Sequence, residues 1–322
     1  SGLPELREEI RKYLIRKLNV EYNPKDEIII TVGGSEGIDI ALRAMLDAGD
    51  EVLIPQPSYV SYEPCTILAG GKPVIIELKA EDGFKLKASQ ILEKITDKTK
   101  ILILPFPNNP TGSILNINEL KEIAKVCIEK DLYVISDEIY CELTYEGEHA
   151  SIVQVEGMKE RTILINGFSK SYAMTGWRLG YATGPKEIIA QMTKIHQYAI
   201  MCAPTTSQYA AVEALAHGDE DVAKMRESYN QRRRFLLHKF DELGMTCFEP
   251  QGAFYVFPSI KRFNMTSEEF ATRLLEEQKT AIVPGTAFGA SGEGYVRVSY
   301  AYSMERLKEA ISRIEKFVRS LS

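Results

Sequence analysis

Residue types that hold metals or build disulfide frames are scarce in this chain of 322 residues: five cysteines and four histidines. Cys65, Cys127, Cys141, Cys202 and Cys247 are odd in number, widely spaced and free of any CxxC. That argues against a disulfide framework or a zinc site and for reduced thiols in a cytoplasmic protein. Cys127 falls on the apolar side of a helical pattern and is expected in the core. His149, His196, His217 and His238 never approach ligand spacing, so no metal is expected. Basic charge is not in excess either: 39 Lys and Arg stand against 45 Asp and Glu, a net charge of −6. A nucleic-acid partner is therefore disfavoured. The run Arg232-Arg233-Arg234 is a local exception, read as the solvated face of a helix. No apolar stretch approaches the roughly 18 residues of a membrane span, and no signal-peptide pattern opens the chain, so no membrane partner is expected. GxGxxG and GK[ST] are missing too, which removes most support for a nucleotide-dependent oxidoreductase or an NTPase.

What remains is an ordinary globular composition, 44% apolar and 26% charged. The length accommodates a large domain and a smaller one. Leu3, Leu6, Ile10, Leu14 and Leu18 recur at helical spacing behind Pro4. A strand over Glu27–Val32 then leads through GGSEG into a helix that Gly49 stops. Short buried strands are expected at Glu51–Ile54, Pro73–Leu78, Ile101–Leu104, Leu132–Ser136 and Thr162–Ile165, with an amphipathic helix at Asn118–Lys130. This alternation predicts an α/β domain with a mostly parallel sheet over residues 1–205. The pattern then changes. Helices are expected at Ser207–His217, Glu220–Leu243, Ser267–Gln278 and Met304–Val318, and short strands at Met245–Phe248, Ala253–Phe257, Ala281–Val283 and Tyr295–Ser299. Residues 206–322 thus read as a smaller C-terminal α+β domain. No internal repeat or low-complexity tract is present.

Five segments carry candidate chemistry. Gly33-Gly34-Ser35-Glu36-Gly37 joins a strand to a helix, where small residues let backbone N–H groups face an anion; a plain tight turn explains it equally well. Asn108-Asn109-Pro110-Thr111-Gly112 follows a buried strand, at the strand end where α/β sheets place ligands; the alternative is an Asn-Pro turn. Asp137 closes the apolar strand before Glu138-Ile139-Tyr140, and a partly buried carboxylate there needs a partner. A protonated ring nitrogen would serve, with the Tyr140 hydroxyl beside it, although a helix N-cap is the commoner role. Lys170 lies among small, aromatic and apolar residues in Gly167–Gly180, surroundings that favour a lowered lysine pKa and imine chemistry over plain solvation. Arg178, eight residues on, is a fixed cation suited to phosphate. Arg297, inside the apolar run Tyr295–Ser299, calls for an anion such as a substrate carboxylate, unless its strand lies at an edge facing water.

In combination and in order, TVGGSEGI, PSYVSY, PFPNNPTG, VISDEIY, GFSKSYAMTGWRLGY, GAFYVFP, VPGTAFG and YVRVSYA resemble class I/II aminotransferases of fold type I. These are the aspartate aminotransferase superfamily, which depends on pyridoxal 5′-phosphate (PLP). The resemblance spans nearly the whole chain. It implies that Lys170 carries the cofactor aldehyde, that Asp137 pairs with the ring N–H⁺, that Tyr140 and Asn109 hydrogen-bond the 3-oxygen, and that Tyr59 stacks on the ring. Gly34, Ser35 and Glu36, through their backbone, would hold the phosphate with Arg178, and Arg297 would grip the substrate α-carboxylate. The Asn109–Pro110 bond is often cis in this family. The implied reaction moves the amino group of an L-amino acid to a 2-oxo acid, with 2-oxoglutarate as the expected acceptor, by a ping-pong scheme in which the freed lysine carries the proton. A homodimer with shared active sites is the family's usual assembly.

The chain departs from the family in three places. Gly167 stands where many relatives place a phosphate-binding Ser or Thr, and Ser169 is the expected substitute. Met201–Thr206 contains no arginine where dicarboxylate-specific relatives donate one across the dimer; the C-terminal half instead resembles bacterial aromatic and N-acetyl-LL-diaminopimelate aminotransferases. The match also begins at Ser1, without the family's N-terminal arm, and a chain lacking that arm is expected to bind PLP but turn over poorly. A PLP-dependent carbon–sulfur β-lyase would share every residue named above; a non-catalytic PLP-binding regulator is a further alternative, disfavoured by the acidic charge and the lack of a visible DNA-binding domain.

Overall fold

A computed structural model describes residues 1–321. Helix α1 (Pro4–Leu18) forms as its spacing predicts. Pro4 occupies its first turn, Leu6, Ile10, Tyr13, Leu14 and Leu18 are buried along one stripe, and Asn19 ends it in the left-handed region. Strand β1 (Ile28–Thr31) follows, then α2 (Gly33–Met45), β2 (Glu51–Gln56), α3 (Tyr62–Leu68), β3 (Lys72–Glu77), α4 (Ala88–Lys94) and β4 (Thr99–Leu104). Asn116 starts α5 (Ile117–Glu129) by accepting from the amides of Asn118 and Glu119, while the Glu119 side chain accepts from the Asn116 amide. The chain continues through β5 (Tyr133–Asp137), β6 (Thr162–Gly167), the short α6 (Phe168–Ser171), β7 (Gly180–Thr183), α7 (Lys186–Ala199) and α8 (Thr205–His217).

The seven strands form one sheet in the order β1-β7-β6-β5-β4-β2-β3. Pairings among β3, β2, β4, β5 and β6 are parallel, and β7 runs antiparallel to both β6 and β1. Strands β1, β2 and β6 are buried along their whole length, which explains the apolar runs at their centres. The expected mostly parallel α/β architecture is therefore present. Because the parallel strands end on one side, Asp137 at the end of β5 and Lys170 just past β6 emerge side by side.

Beyond α8 the chain forms α9 (Asp219–Glu242), β8 (Tyr255–Val256), α10 (Ser267–Gln278), β9 (Val283–Pro284), β10 (Val296–Ser299) and α11 (Met304–Ser320). Strands β8, β10 and β9 make a small antiparallel sheet, and an apolar cluster including Leu236, Phe270, Val296, Ile311 and Phe317 packs around it. Helix α8 belongs to a different cluster, with Ala211 and Leu215 against Leu6 and Ile10 of α1.

Several expected elements differ. Met245–Phe248 is not a strand; an isolated bridge joins Cys247 to Pro258. The strand expected over Ala253–Phe257 shortens to two residues, because Ala253 adopts φ 59° and breaks the extended run. Elements α3, α4, α6, β7 and α7 were not anticipated. The reading of Arg232–Arg234 as a solvated face fails at its middle residue. Arg233 is 1% exposed, donates to Asn230, Glu249 and the Pro250 carbonyl, and lies over the Tyr145 ring. Cys127 is fully buried in the core, and all five thiols are free. No helix among the described residues is long and apolar enough to cross a membrane.

Candidate active site

A cavity of about 250 Å³ opens at the carboxyl ends of the parallel strands. Lys170 enters from α6, directly after β6. Its Nζ lies 5.9 Å from the Tyr140 ring centroid and 5.5 Å from that of Phe254, with no hydrogen-bond or ion-pair partner among the described residues. Burial lowers its pKa, and the nearby charges of Arg297 and Arg178 lower it further, against a smaller opposing effect of Asp137. An amine held this way is more readily deprotonated than a surface lysine.

Asp137 closes β5 and is buried. Tyr62 donates to its Oδ2 at 2.7 Å, and the Ile139 amide donates to Oδ1 at 3.2 Å. Burial nonetheless dominates and pushes its pKa up to about 6. Such a carboxyl gains most from a cation placed beside it. Tyr140 hydrogen-bonds Tyr255, hydroxyl to hydroxyl, at 2.9 Å; burial raises its pKa well above the ordinary tyrosine value.

The opposite wall comes from the small sheet and from the loop after β4. Arg297 of β10 donates from Nη1 to Asn109 Oδ1 at 2.9 Å. Its guanidinium stacks over Tyr255 at 4.3 Å and Phe288 at 4.7 Å. Its Nε is buried without a partner. The Asn109–Pro110 bond is cis.

At the third side, Gly33 takes φ +77° at the end of β1, and a Cβ built there would lie 2.8 Å from Arg178 Nη2. This position must stay glycine for Arg178 to lie against the turn that opens α2. Arg178 also donates to the Thr175 carbonyl at 3.1 Å. Gly34 and Ser35 face the cavity, and Ser35 Oγ lies 3.3 Å from Tyr59 Oη. Tyr59 packs edge-on against Tyr62. Ser169 lines the same cavity. Gly167 has a steric reason to lack a side chain: a Cβ there would lie 3.0 Å from Gly180 Cα and from the Leu179 carbonyl oxygen.

Ten of the expected residues therefore converge: Gly34, Ser35, Tyr59, Asn109, Asp137, Tyr140, Ser169, Lys170, Arg178 and Arg297. Glu36 does not line the cavity. Its carboxylate turns back to the Val32 amide and to His196. Sequence reasoning assigned no role to Tyr62 or Tyr255. Both stand inside motifs already singled out, PSYVSY and GAFYVFP, but nothing in one sequence separates them from neighbouring aromatics.

A half-buried amine whose pKa is lowered, a buried carboxyl and two arginines lining one cavity suit carbonyl chemistry on an anionic ligand. Comparison with known proteins gives that class a family. The model of the aminotransferase class I and II family matches residues 1–314. An aspartate aminotransferase of Pyrococcus abyssi is 47% identical over 99% of this chain and 82% of its own length. An aromatic-amino-acid aminotransferase of Thermococcus litoralis is 43% identical, with 99% and 82% covered. The crystal structure of an aromatic aminotransferase from Pyrococcus horikoshii superposes with a TM-score of 0.97 at 45% identity, covering 100% of this chain and 87% of that one. The chain belongs to the class I and II aminotransferases, a family whose amino transfer depends on PLP. It is an aminotransferase of the α/β fold characteristic of that family.

Proposed function

We propose that the cavity binds PLP and that Lys170 is the residue that carries it. The observation that supports this most strongly is the unpartnered Lys170 Nζ, with its lowered pKa, in one cavity with Asp137, Arg178 and Arg297. Two features fit the cofactor and its substrate: the space that a Cβ at Gly33 would fill beside Arg178, and the orphaned Nε of Arg297.

Bound there, PLP would supply a carbonyl for the incoming amine and an electron sink for charge developing at the substrate Cα. The protein supplies the rest. Lys170, whose pKa burial lowers, would take a proton from the substrate Cα and return it to the carbon that bore the cofactor carbonyl. Asp137 holds the ring nitrogen protonated, and Tyr62 and the Ile139 amide hold Asp137. Asn109 and Tyr140 serve the 3-oxygen, and Tyr59 the ring face. Arg178, Ser35, Ser169 and the backbone at Gly34 and Glu36 take the phosphate, the last through its N–H alone. Arg297 binds the α-carboxylate of both amino-acid and 2-oxo-acid substrates, and its bond to Asn109 orients it.

The same proposal includes 2-oxoglutarate as acceptor, a cytoplasmic location supported by five free thiols, and a homodimer. Exposed large apolar residues, among them Val60, Ile67, Trp177 and Met201, support the last. A division into a larger and a smaller unit is supported by two apolar clusters drawn wholly from residues up to Leu215 and a third drawn mainly from Leu236 onward. The packing of α8 on α1 favours drawing it near Gly218 rather than at residue 205. The test is a panel of L-amino acids, each incubated with PLP and 2-oxoglutarate. Glutamate and the matching 2-oxo acid in equal amounts are expected. Ammonia with pyruvate and no glutamate would replace transfer by β-elimination.

A further inference from the structure

Glu36 occupies the first turn of α2, close to the proposed phosphate position, where a carboxylate facing the cavity would repel an anion. The structure turns it away. Its Oε2 accepts from the Val32 amide at 2.5 Å and its Oε1 from His196 Nδ1 at 2.6 Å. Nδ1 of His196 is thus engaged by the Glu36 carboxylate. That leaves Nε2 buried and unpartnered in a side chain 1% exposed. A buried bare ring nitrogen is a cost without return unless the other nitrogen does something useful.

What it fastens can be traced residue by residue. His196 is the last of the inward residues Ile189, Met192 and His196 of α7. The first two pack in the apolar cluster that also contains Ile38, Ala41 and Leu42 of α2. His196 thus ties a rigid helix to Glu36, and Glu36 ties itself to the Val32 amide. Val32 is the residue before Gly33, whose φ of +77° brings the chain against Arg178 Nη2. The cradle's entry turn is therefore held from behind by two side chains that do not line the cavity.

We infer that His196 is a positioning residue which, acting through Glu36, sets the phosphate cradle at Gly33–Ser35. This rests on the cofactor reading above. A residue of this kind matters for a ligand with a phosphate and not for one without it. The experiment titrates cofactor-free protein with PLP and, separately, with pyridoxal, which shares the ring and aldehyde but lacks the phosphate. His196→Leu should weaken PLP binding by about 10-fold, the scale of loss when orienting partners behind a binding group are removed, and leave pyridoxal binding nearly unchanged. His196→Asn, which keeps an N–H donor near the Nδ1 position, should recover most of the loss. Glu36→Leu should show the same selective loss, and the double variant should lose no more than either single one, because both act on one contact chain. Should His196→Leu fail to fold, as its apo melting curve would show, Glu36→Leu carries the test. Equal loss for both ligands, or an unchanged PLP-to-pyridoxal ratio in the folded variants, overturns the inference. A wild-type protein that binds PLP no better than pyridoxal overturns the cofactor reading itself, a distinct result.

Discussion

Arg233 and Arg297 are both arginines withdrawn from water, and they differ in what they lack. Arg233 on α9 is served on every side: Asn230 at 3.0 Å, Glu249 at 3.1 Å, the Pro250 carbonyl at 2.8 Å and the Tyr145 ring beneath. Arg297 on β10 has two rings and one neutral acceptor, Asn109, and keeps a bare Nε. A buried cation whose needs are met is scaffold; one whose needs are unmet, facing a cavity, is waiting for a ligand. Asp137 and Lys170 belong with Arg297, since burial pushes each toward its neutral form and a partner of opposite charge would reverse the push.

Arg297→Ala tests the unmet side and carries the largest expected effect. It should lower kcat/KM by roughly 100-fold, about the 3 kcal/mol carried by a desolvated charge-assisted pair, with the loss seen for every carboxylate substrate. Apo Tm should fall less than in Arg233→Ala, because one hydrogen bond to Asn109 and the stacking on Tyr255 and Phe288 are all that the guanidinium supplies. A Tm drop with unchanged kinetics would reverse the assignment. Arg233→Ala should behave in the opposite way. We expect a loss of about 2–3 kcal/mol in urea unfolding, from the stranded Pro250 carbonyl and the lost packing on Tyr145, with kcat/KM per folded protein unchanged.

Asp137→Asn sharpens the contrast through pH. The native pKa of about 6 lies above the ordinary value of 3.8, so between those values the folded state holds more proton than the unfolded state. Stability contributed by this group is present below about pH 4 and is lost as pH rises through 6. The cofactor-free Asn variant should therefore lack that decline and be more stable than wild type at pH 8, by about 3 kcal/mol, while losing turnover. A smaller effect is expected from Tyr62→Phe. Removing a hydrogen bond that favours the carboxylate should raise the Asp137 pKa further and cost the ionised form about 1 kcal/mol, readable by carbon-detected NMR titration of the Asp137 carboxyl. A downward shift would contradict the role given to Tyr62.

The fold was legible wherever burial was two-sided. Strands such as Ile101–Leu104 and Ile163–Ile165 are apolar throughout because they are buried on both faces, and α1 and α5 announce themselves by spacing and capping. Helix α7 is hidden in the sequence because its inward stripe ends in a histidine, and β8 is shorter than its apolar run predicts because a positive φ at Ala253 cannot be read from an alanine. At the site, Asn109, Asp137, Lys170, Arg178 and Arg297 stood out as polar residues in apolar or turn-rich settings. Tyr62 and Tyr255 did not, since their importance lies in the partners that folding brings to them. Arg233 was misread for the complementary reason: Glu146, Glu249 and the Pro250 carbonyl reach it from other segments. The side chain of Glu36 was invisible to spacing alone, because its partner His196 lies 160 residues away.

The central claim is that Lys170 is the covalent anchor of a PLP site, and the visible spectrum tests it most directly. Cofactor-free wild-type protein titrated with PLP should develop a stoichiometric visible band that survives gel filtration and is discharged by an amino-acid substrate, and Lys170→Ala should show neither band nor retention after filtration. A wild-type protein that stays colourless, or a Lys170→Ala variant that holds the same band, would contradict the account.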